Sequence, residues 1–242
     1  MLIALSLIFL FAKPAISANA PDADRLLKDA EFIRNPQDDY QVKVNLVDTK
    51  NGKKEEHTYE TLVKGRHKSL VRFLTPIVDV GTKALMIDDQ MWIYVPSTSK
   101  PIRIAARQKV MGNAAYGDIV RLSFEGNYKA KIVRNDTYNG KKAVVLDLTA
   151  IDGMPVTYDR VEYWVDANSH RPLKTLYQTM SGKTLREGYF EDFANVLGVQ
   201  RPTHFILTDF LQKDHVTHLV FADAKKASLP DLLFDKQNFG RD

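Results

Sequence analysis

The feature that most constrains the fold of this 242-residue chain is a period-two alternation of apolar and polar residues from residue 40 onward. The first alternating segment places apolar side chains at every second position, at Tyr40, Val42, Val44 and Leu46. This is the pattern of a β-strand with one buried face. The segments are joined by hairpin-length links, and Asn139-Gly140 is the strongest turn signal because both residues tolerate positive φ. Such short links predict antiparallel pairing.

The alternation predicts about eleven strands in a single meandering antiparallel sheet. The candidate segments, twelve when the short runs 84–87 and 91–95 are counted separately, lie at 40–46, 57–66, 70–75, 84–87, 91–95, 128–138, 141–150, 157–166, 172–180, 185–192, 203–211 and 216–222. An amphipathic helix is predicted at 21–35, ended by Asn35-Pro36. The remaining segments are a loop at 105–118, a short helix at 119–124 and a second short helix after Pro230. The predicted fold class is therefore mainly β (α+β), with a few helices covering one face of the sheet.

The N-terminal segment predicts an exported protein. Residues 2–12 form an apolar run of the length found in secretory signals, and small residues follow it, among them Ala15 and Ser17. The run is shorter than the roughly 20 apolar residues that a membrane-spanning helix needs. We expect a cleaved signal at residues 1–17 and a single domain at 18–242; the alternative is a buried first helix.

Composition narrows the classes of function. The formal net charge of +4 comes from scattered cations, which does not indicate nucleic-acid binding. The chain has no cysteine, which excludes disulfides, thiolate metal sites and a lipidated N-terminal cysteine. The predicted mature protein is soluble and periplasmic, neither spanning nor anchored to a membrane.

No arrangement of polar residues indicates catalysis. His215 and His218 are three apart, which points them to opposite faces of a strand, and we interpret both as surface or turn residues. The carboxylate pairs Asp38-Asp39 and Asp88-Asp89 lie at predicted turns. The chain has no Gly-x-Ser-x-Gly elbow, P-loop or dinucleotide fingerprint. We therefore expect neither an enzyme nor a cofactor or metal site.

Apolar and aromatic residues are the better indication of a binding site. In Met91–Val95 every residue is apolar or aromatic, which predicts that both faces of that strand are covered. Trp92 and Tyr94 carry large rings with polar tips, which line pockets as well as cores. Methionines adapt to varied acyl shapes. For each candidate, plain core is the alternative; the set is Val44, Leu46, Phe73, Met86, Trp92, Tyr94, Met111, Leu146 and Tyr163.

A series of short motifs between residues 72 and 116 is recognisable as a whole. In order they are Arg72-Phe73, Pro76, Gly81-Thr82, Trp92-x-Tyr94-x-Pro96, the basic residues Arg103 and Arg107, and Met111-Gly112. This order resembles the outer-membrane lipoprotein-sorting family of the LolA/LolB-like superfamily. The first helix and the segment 161–166 (VEYWVD) are also similar, so the resemblance covers most of the mature chain.

The resemblance implies an incomplete antiparallel β-barrel whose open side is closed by helices, and a carrier that shelters the acyl chains of lipoproteins in the periplasm. It implies lipid or lipoprotein acyl chains as ligands, an inner-membrane transporter complex and an outer-membrane acceptor as partners, and we expect a monomer. Arg103 and Arg107 either contact an anionic head group or membrane partner, or are solvated loop charges.

Two other functions remain open at the level of sequence. The chain could be a non-transport module of the cell envelope that docks to a membrane complex. It could also be a lipid-modifying enzyme, which would need a titratable cluster at the mouth of the cavity. The cargo itself, lipoprotein or another lipid, is not indicated by any motif.

Overall fold

The computed structural model describes residues 22–98, 100–120, 123–212 and 214–240. The predicted signal at 1–17 lies outside these ranges. Among the residues described, no helix is both long and apolar enough to cross a membrane.

The elements of the described chain are mostly strands. The two α-helices are α1 (Ala23–Arg34) and α2 (Tyr116–Val120), and single 3₁₀ turns lie at Ile77–Asp79 and Asp231–Phe234. The strands before α2 are β1 (Tyr40–Lys50), β2 (Lys53–Lys64), β3 (Lys68–Thr75), β4 (Lys83–Ile87), β5 (Gln90–Tyr94), β6 (Ile102–Ile104), β7 (Lys109–Met111) and β8 (Ala114–Ala115). Those after it are β9 (Tyr128–Tyr138), β10 (Lys141–Ala150), β11 (Arg160–Asp166), β12 (Pro172–Gln178), β13 (Thr184–Val196), β14 (Val199–Asp209) and β15 (His215–Lys226).

Thirteen of the strands form one sheet in the order β6-β5-β4-β3-β2-β1-β15-β14-β13-β12-β11-β10-β9. Every neighbouring pair is antiparallel, which confirms the predicted fold class. The edge strands β6 and β9 are not paired with each other, so the sheet does not close into a barrel. The first and last long strands, β1 and β15, meet in its interior.

Helix α1 forms as its sequence predicts. Asp22 caps it, because its side chain accepts a hydrogen bond of 3.2 Å from the backbone N–H of Asp24. Leu26, Leu27 and Ala30 recur at helical spacing and are buried against the sheet. The extended backbone at Asn35 ends the helix before Pro36.

The segment 105–118, expected to be a loop, is more ordered than predicted. It contains the two-stranded ribbon β7–β8, and α2 begins at Tyr116 instead of at 119. The helix begins early because Asp118 accepts a hydrogen bond of 2.8 Å from the backbone N–H of Ala115, one turn back. With β6, this ribbon raises the number of strands above the expected eleven.

Apolar side chains cover both faces of the sheet. The face under α1 and α2, here called the inner face, carries the largest buried cluster. On the opposite, outer face, residues 227–239 cover Leu62, Leu70, Leu85 and Trp92. Met91 faces the inner cluster and Trp92 the outer one, which confirms that strand β5 is covered on both sides.

Candidate functional site

A cavity of about 110 Å³ lies on the inner face, between the C-terminal end of α1, helix α2 and five strands. Its lining is predominantly apolar, with side chains from β1, β2, β13, β14 and β15. The wall residues are Tyr40, Val42, Val44, Ile119, Val120, Phe190, Val196, Pro202, Phe205, Phe221 and Ala224. Successive residues of a strand point to opposite faces, so the alternation in β1 places Tyr40, Val42 and Val44 on this one wall.

Aromatic rings give the far wall its shape. The rings of Phe190 in β13 and Phe205 in β14 are stacked, with centroids 4.8 Å apart. They are cross-strand partners, and such pairs stabilise the sheet locally. The wall is therefore a preformed apolar surface, suited to a hydrocarbon chain.

A buried ion pair lies at the α1 end of the cavity. The guanidinium of Arg34 is 2.8 Å from Glu31 Oε2 and lies 4.2 Å from the centroid of the Phe124 ring. The same carboxylate accepts a hydrogen bond of 3.2 Å from the backbone N–H of Phe124. Burial alone would lower the pKa of Arg34, and the charge of Glu31 with nearby tyrosines holds it above its ordinary value. Glu31 thus joins α1 to the segment after α2.

A second buried polar group is formed by Asp118 of α2 and the side chains that it contacts. Asp118 is buried, and its Oδ2 atom accepts a hydrogen bond of 3.0 Å from the hydroxyl of Tyr158. Arg186 in turn donates a hydrogen bond of 3.1 Å to that hydroxyl. Burial raises the pKa of Asp118, and the hydrogen bond from Ala115 and the charge of Arg186 partly offset this rise. These contacts hold α2 over the cavity.

Arg201 forms part of the cavity wall and fastens α1. Its side chain is buried and donates hydrogen bonds to the carbonyl oxygens of Phe32, of Ile33 at 2.9 Å and of Val196 at 3.1 Å. Carbonyl groups in the last turn of a helix lack intrahelical partners. Arg201 therefore supplies donors to the end of α1. Burial lowers the pKa of Arg201.

A wider groove of about 550 Å³ lies on the other side of α2. Its lining includes Met86, Met91 and Met154, and Val120 of α2 contacts both the groove and the cavity. The rim is charged and includes the ion pair between Arg66 and Glu125. Helix α2 thus separates two concave spaces.

Seven of the nine candidate ligand-binding residues lie on the inner face. Val44 lines the cavity and Met86 lines the groove. The other five belong to the apolar cluster of this face or pack against it, and they are Leu46, Phe73, Met111, Leu146 and Tyr163.

The other two candidates lie on the opposite face. Trp92 and Tyr94 pack beneath the C-terminal segment, where Lys236 lies 4.8 Å from the Trp92 ring and Phe239 is an edge-on neighbour of Tyr94. They point outward because Met91 and Ile93 occupy the inner side of the same strand. The structure thus places neither ring in the cavity.

The two candidate head-group residues also lie away from the cavity. Arg103 and Arg107 are exposed, and Arg107 is 3.8 Å from Asp159. Neither side chain belongs to the lining of the cavity or of the groove.

The polar residues at the cavity were not identified from the sequence. Arg34 had a weak signal, as a cation in the last turn of a predicted helix. Asp118 fell in an expected loop, and Arg201 meets α1 across 168 residues of chain, which no local pattern reveals. The interpretation of His215 as a surface or turn residue is wrong: it begins β15, is buried and lies 3.1 Å from Asp48.

Grouped metal ligands are absent from the described ranges, where no three His, Cys, Asp or Glu side chains could together hold a metal ion. The site consists of an apolar cavity, a groove and the helix between them, with buried polar groups that hold the helices in place.

The fold and site define a class: an open antiparallel sheet with a helix-covered apolar inner face. A LolA superfamily protein of Nitrosomonas europaea shares this structure with a TM-score of 0.84 and 36% identity, over 90% of this chain and 99% of that one. A DUF1329 family protein of Desulfovibrio piger (TM-score 0.77, 21% identity, 88% and 95% covered) is similar in fold. So is an outer membrane lipoprotein-sorting protein domain of Vibrio parahaemolyticus (0.76, 20%, 90% and 98%).

The chain belongs to the LolA superfamily, which confirms the resemblance drawn from the motifs between residues 72 and 116. Residues 65–241 also match a protein family whose description reads "Uncharacterized protein". No curated protein sequence matches the chain.

Proposed function

We propose that the chain is an exported, periplasmic carrier that holds an acyl chain of a lipoprotein or of another lipid against the inner face of its sheet, for transfer toward the outer membrane. The observation that carries this proposal is the apolar cavity between α1, α2 and strands β1, β2 and β13–β15. Sheltering a hydrocarbon needs no covalent chemistry, because burying each methylene is worth about 0.8 kcal/mol.

The cavity must enlarge to hold such a ligand. Its volume of about 110 Å³ is well below the roughly 300–1,000 Å³ of sites for drug-sized ligands. Helix α2, described over Tyr116–Val120, stands between the cavity and the groove, so its displacement would join the two spaces. In this proposal Asp118 and its tyrosine partner hold the empty state closed, and a ligand or a partner shifts the balance toward the open state.

A cavity-filling variant tests the proposal. Ala224→Phe places a ring in the cavity, whereas Ala222→Phe places the same ring on the same strand, and residue 222 does not line the cavity. We expect lipid to be found by mass spectrometry in organic extracts of the wild type and the Ala222→Phe control, and to be lost from Ala224→Phe. Both variants are compared with the wild type by circular dichroism.

Two other outcomes would contradict the proposal that the chain is a lipid carrier. Equal amounts of lipid in the wild type and in folded Ala224→Phe would place the ligand elsewhere. Absence of lipid from the wild type, together with no binding of a fluorescent fatty acid, would remove the basis for a lipid carrier.

The alternative, a non-transport module of the envelope, is favoured by one observation. The inner face is already filled by the protein's own rings, among them Tyr59, Phe124 and Tyr163, each with 0% exposure. A permanently packed inner face needs no ligand. The lipid extraction separates the two functions, because only the carrier retains a lipid that Ala224→Phe displaces.

A further inference from the structure

The exposed apolar side chains of the described residues are concentrated at one end of the sheet. Strand pairing places the β1–β2, β3–β4, β5–β6, β10–β11, β12–β13 and β14–β15 connections at this end, here called the apolar end. Nine of the thirteen large apolar side chains that are exposed in the described ranges lie there: Leu74, Ile77, Val78, Val80, Ile102, Met180, Leu185, Phe210 and Leu211. None lies in the turns of the opposite end, which are the β2–β3, β4–β5, β9–β10, β11–β12 and β13–β14 connections.

The most exposed of these side chains sit on turn tips. Ile77 and Val78, in the 3₁₀ turn after β3, are each 83% exposed, and Leu211, after β14, is 71% exposed. Single exposed apolar residues are common, but a cluster on one surface marks an interaction site. Packing within the fold does not explain why apolar side chains occupy these turn tips.

Cations lie between the apolar tips. The β1–β2 turn stands between the β3–β4 and β14–β15 connections in the sheet, and Lys50 and Lys53 flank it. Both lysines are exposed and, in the part of the chain that the structure describes, neither forms an ion pair. Lys54 is paired with Glu56, and exposed Glu55 also lies on this hairpin, so the positive charge is concentrated at the tip.

Lysines also lie beside the neighbouring tips. Lys100 is exposed in the β5–β6 connection and Lys183 is exposed in the β12–β13 turn. Carboxylates are at this end as well: Asp152 and Asp214 are exposed, and Asp79, which follows Val78 in the 3₁₀ turn, is partly exposed and lies 3.3 Å from His57. The apolar side chains therefore supply most of the attraction, and the lysines add a preference for anionic surfaces.

We propose that the apolar end docks the protein onto the surface of a bilayer containing anionic phospholipid, with Ile77 and Val78 entering the interface. The tips on β3 and β14 are four strand positions apart, about 19 Å at the usual strand spacing. A fluid bilayer accepts separate anchors at any lateral spacing, and lysines beside buried apolar tips favour anionic lipid. The proposal is independent of whether the cavity holds a lipid.

Docking in this way leaves the cavity at the far end from the bilayer. Its lining includes Asn35 and Pro36, which precede β1, and Val196 and Pro202, which lie beside the β13–β14 turn at the end opposite to the tips. A protein molecule docked in this way therefore keeps this part of the cavity open to the aqueous side.

Flotation with lipid vesicles tests the proposal. The chain is prepared from residue 18 onward, so that the apolar run at 2–12 cannot itself bind lipid. Vesicles are pure phosphatidylcholine, or phosphatidylcholine with about 30% phosphatidylglycerol. We expect the wild type to float with both and to bind the anionic vesicles more tightly.

Three variants separate the contributions. Ile77→Ser with Val78→Ser should weaken binding to both vesicles by about tenfold or more, because two exposed side chains no longer enter the interface. Lys50→Glu with Lys53→Glu should weaken binding to anionic vesicles alone. Leu232→Ser, at another exposed site (66% exposed) on the outer face, is the control and should bind as the wild type does.

Two results would overturn the docking surface. One is a folded wild type that floats with neither vesicle, which would assign the apolar end to a protein partner. The other is a double serine variant that binds as tightly as the Leu232→Ser control. Thermal unfolding of each variant confirms that a loss of binding is not a loss of fold.

Discussion

The side chain of Asp48 joins two distant parts of the chain. It lies 3.1 Å from His215 and accepts a hydrogen bond from the hydroxyl of Thr217. That hydroxyl accepts one of 2.8 Å from the backbone N–H of Asn113. The chain can pass this close to Asp48 only because residue 112 has no side chain, as a Cβ there would lie 1.9 Å from Asp48 Oδ1. The β7–β8 ribbon is thereby fixed to β1 and β15.

Gly112→Ala should therefore destabilise the protein beyond the effect of backbone conformation. Gly112 has φ of +52° and Gly65 has φ of +55°, but a Cβ at Gly65 meets nothing within 4 Å. In Gly65→Ala the only cost is the strain of a left-handed backbone at a residue with a side chain. We therefore expect Gly112→Ala to lower the free energy of unfolding by about 1–3 kcal/mol more than Gly65→Ala does. Urea unfolding of the two variants measures the difference. Equal losses of stability in the two variants would show that the β7–β8 ribbon can shift to make room for the added methyl group without an energetic penalty.

Helix α1 depends on a strand that lies far along the chain. Its buried stripe packs on the inner face, and Arg201 of β14 supplies donors to its last carbonyl groups. The helix therefore combines local capping at Asp22 with long-range capping at its other end.

Arg201→Met should loosen the C-terminal end of α1. The methionine keeps much of the apolar volume but leaves the carbonyl oxygens of Phe32, Ile33 and Val196 without their donor, which costs about 1–3 kcal/mol. Amide hydrogen exchange should accelerate at the end of α1 and stay unchanged in β9–β12. In Arg201→Lys, which keeps a donor and the charge, exchange at the end of α1 should be faster than in the wild type and slower than in Arg201→Met. Unchanged exchange in Arg201→Met would contradict the role of this contact.

Local patterns predicted most of the elements. Helix α1 and the long strands were recognisable because one buried face imposes a 3.6- or 2-residue period. The pattern failed at 102–115, where the strands have only two or three residues and are too short to show a period. It also failed for Trp92 and Tyr94, because in a strand covered on both faces the sequence does not say which face the cavity occupies. Arg201 and Asp118 were missed because tertiary contacts alone bring them to the site.

The C-terminal segment completes the outer face of the sheet. Phe234 and Phe239 are buried against the cluster that contains Leu85 and Trp92. Without residues 227–239 this part of the sheet would present apolar side chains to water. The segment thus acts as a fixed cover on the side away from the cavity.

Phe239→Ala should destabilise the protein by about 3 kcal/mol, the usual effect of removing a buried ring, and expose Trp92. Leu232→Ala in the same segment is the control, since Leu232 is exposed and its loss should have little effect. The emission of Trp92, measured in a Trp164→Phe background, should shift to the red and be quenched by acrylamide in Phe239→Ala alone. An unshifted emission would mean that the cover does not depend on this ring.

The meeting of β1 and β15 in the middle of the sheet governs the order in which the protein can be built. Strand β1 is made early, yet one of its two edges has no partner until residues 215–226 have been synthesised. Closing so long a stretch of chain is entropically costly, and contacts of this range form late. A nascent chain therefore carries an open, half-paired strand until most of its length has been made, and only the arrival of its last strand joins the two halves into one sheet.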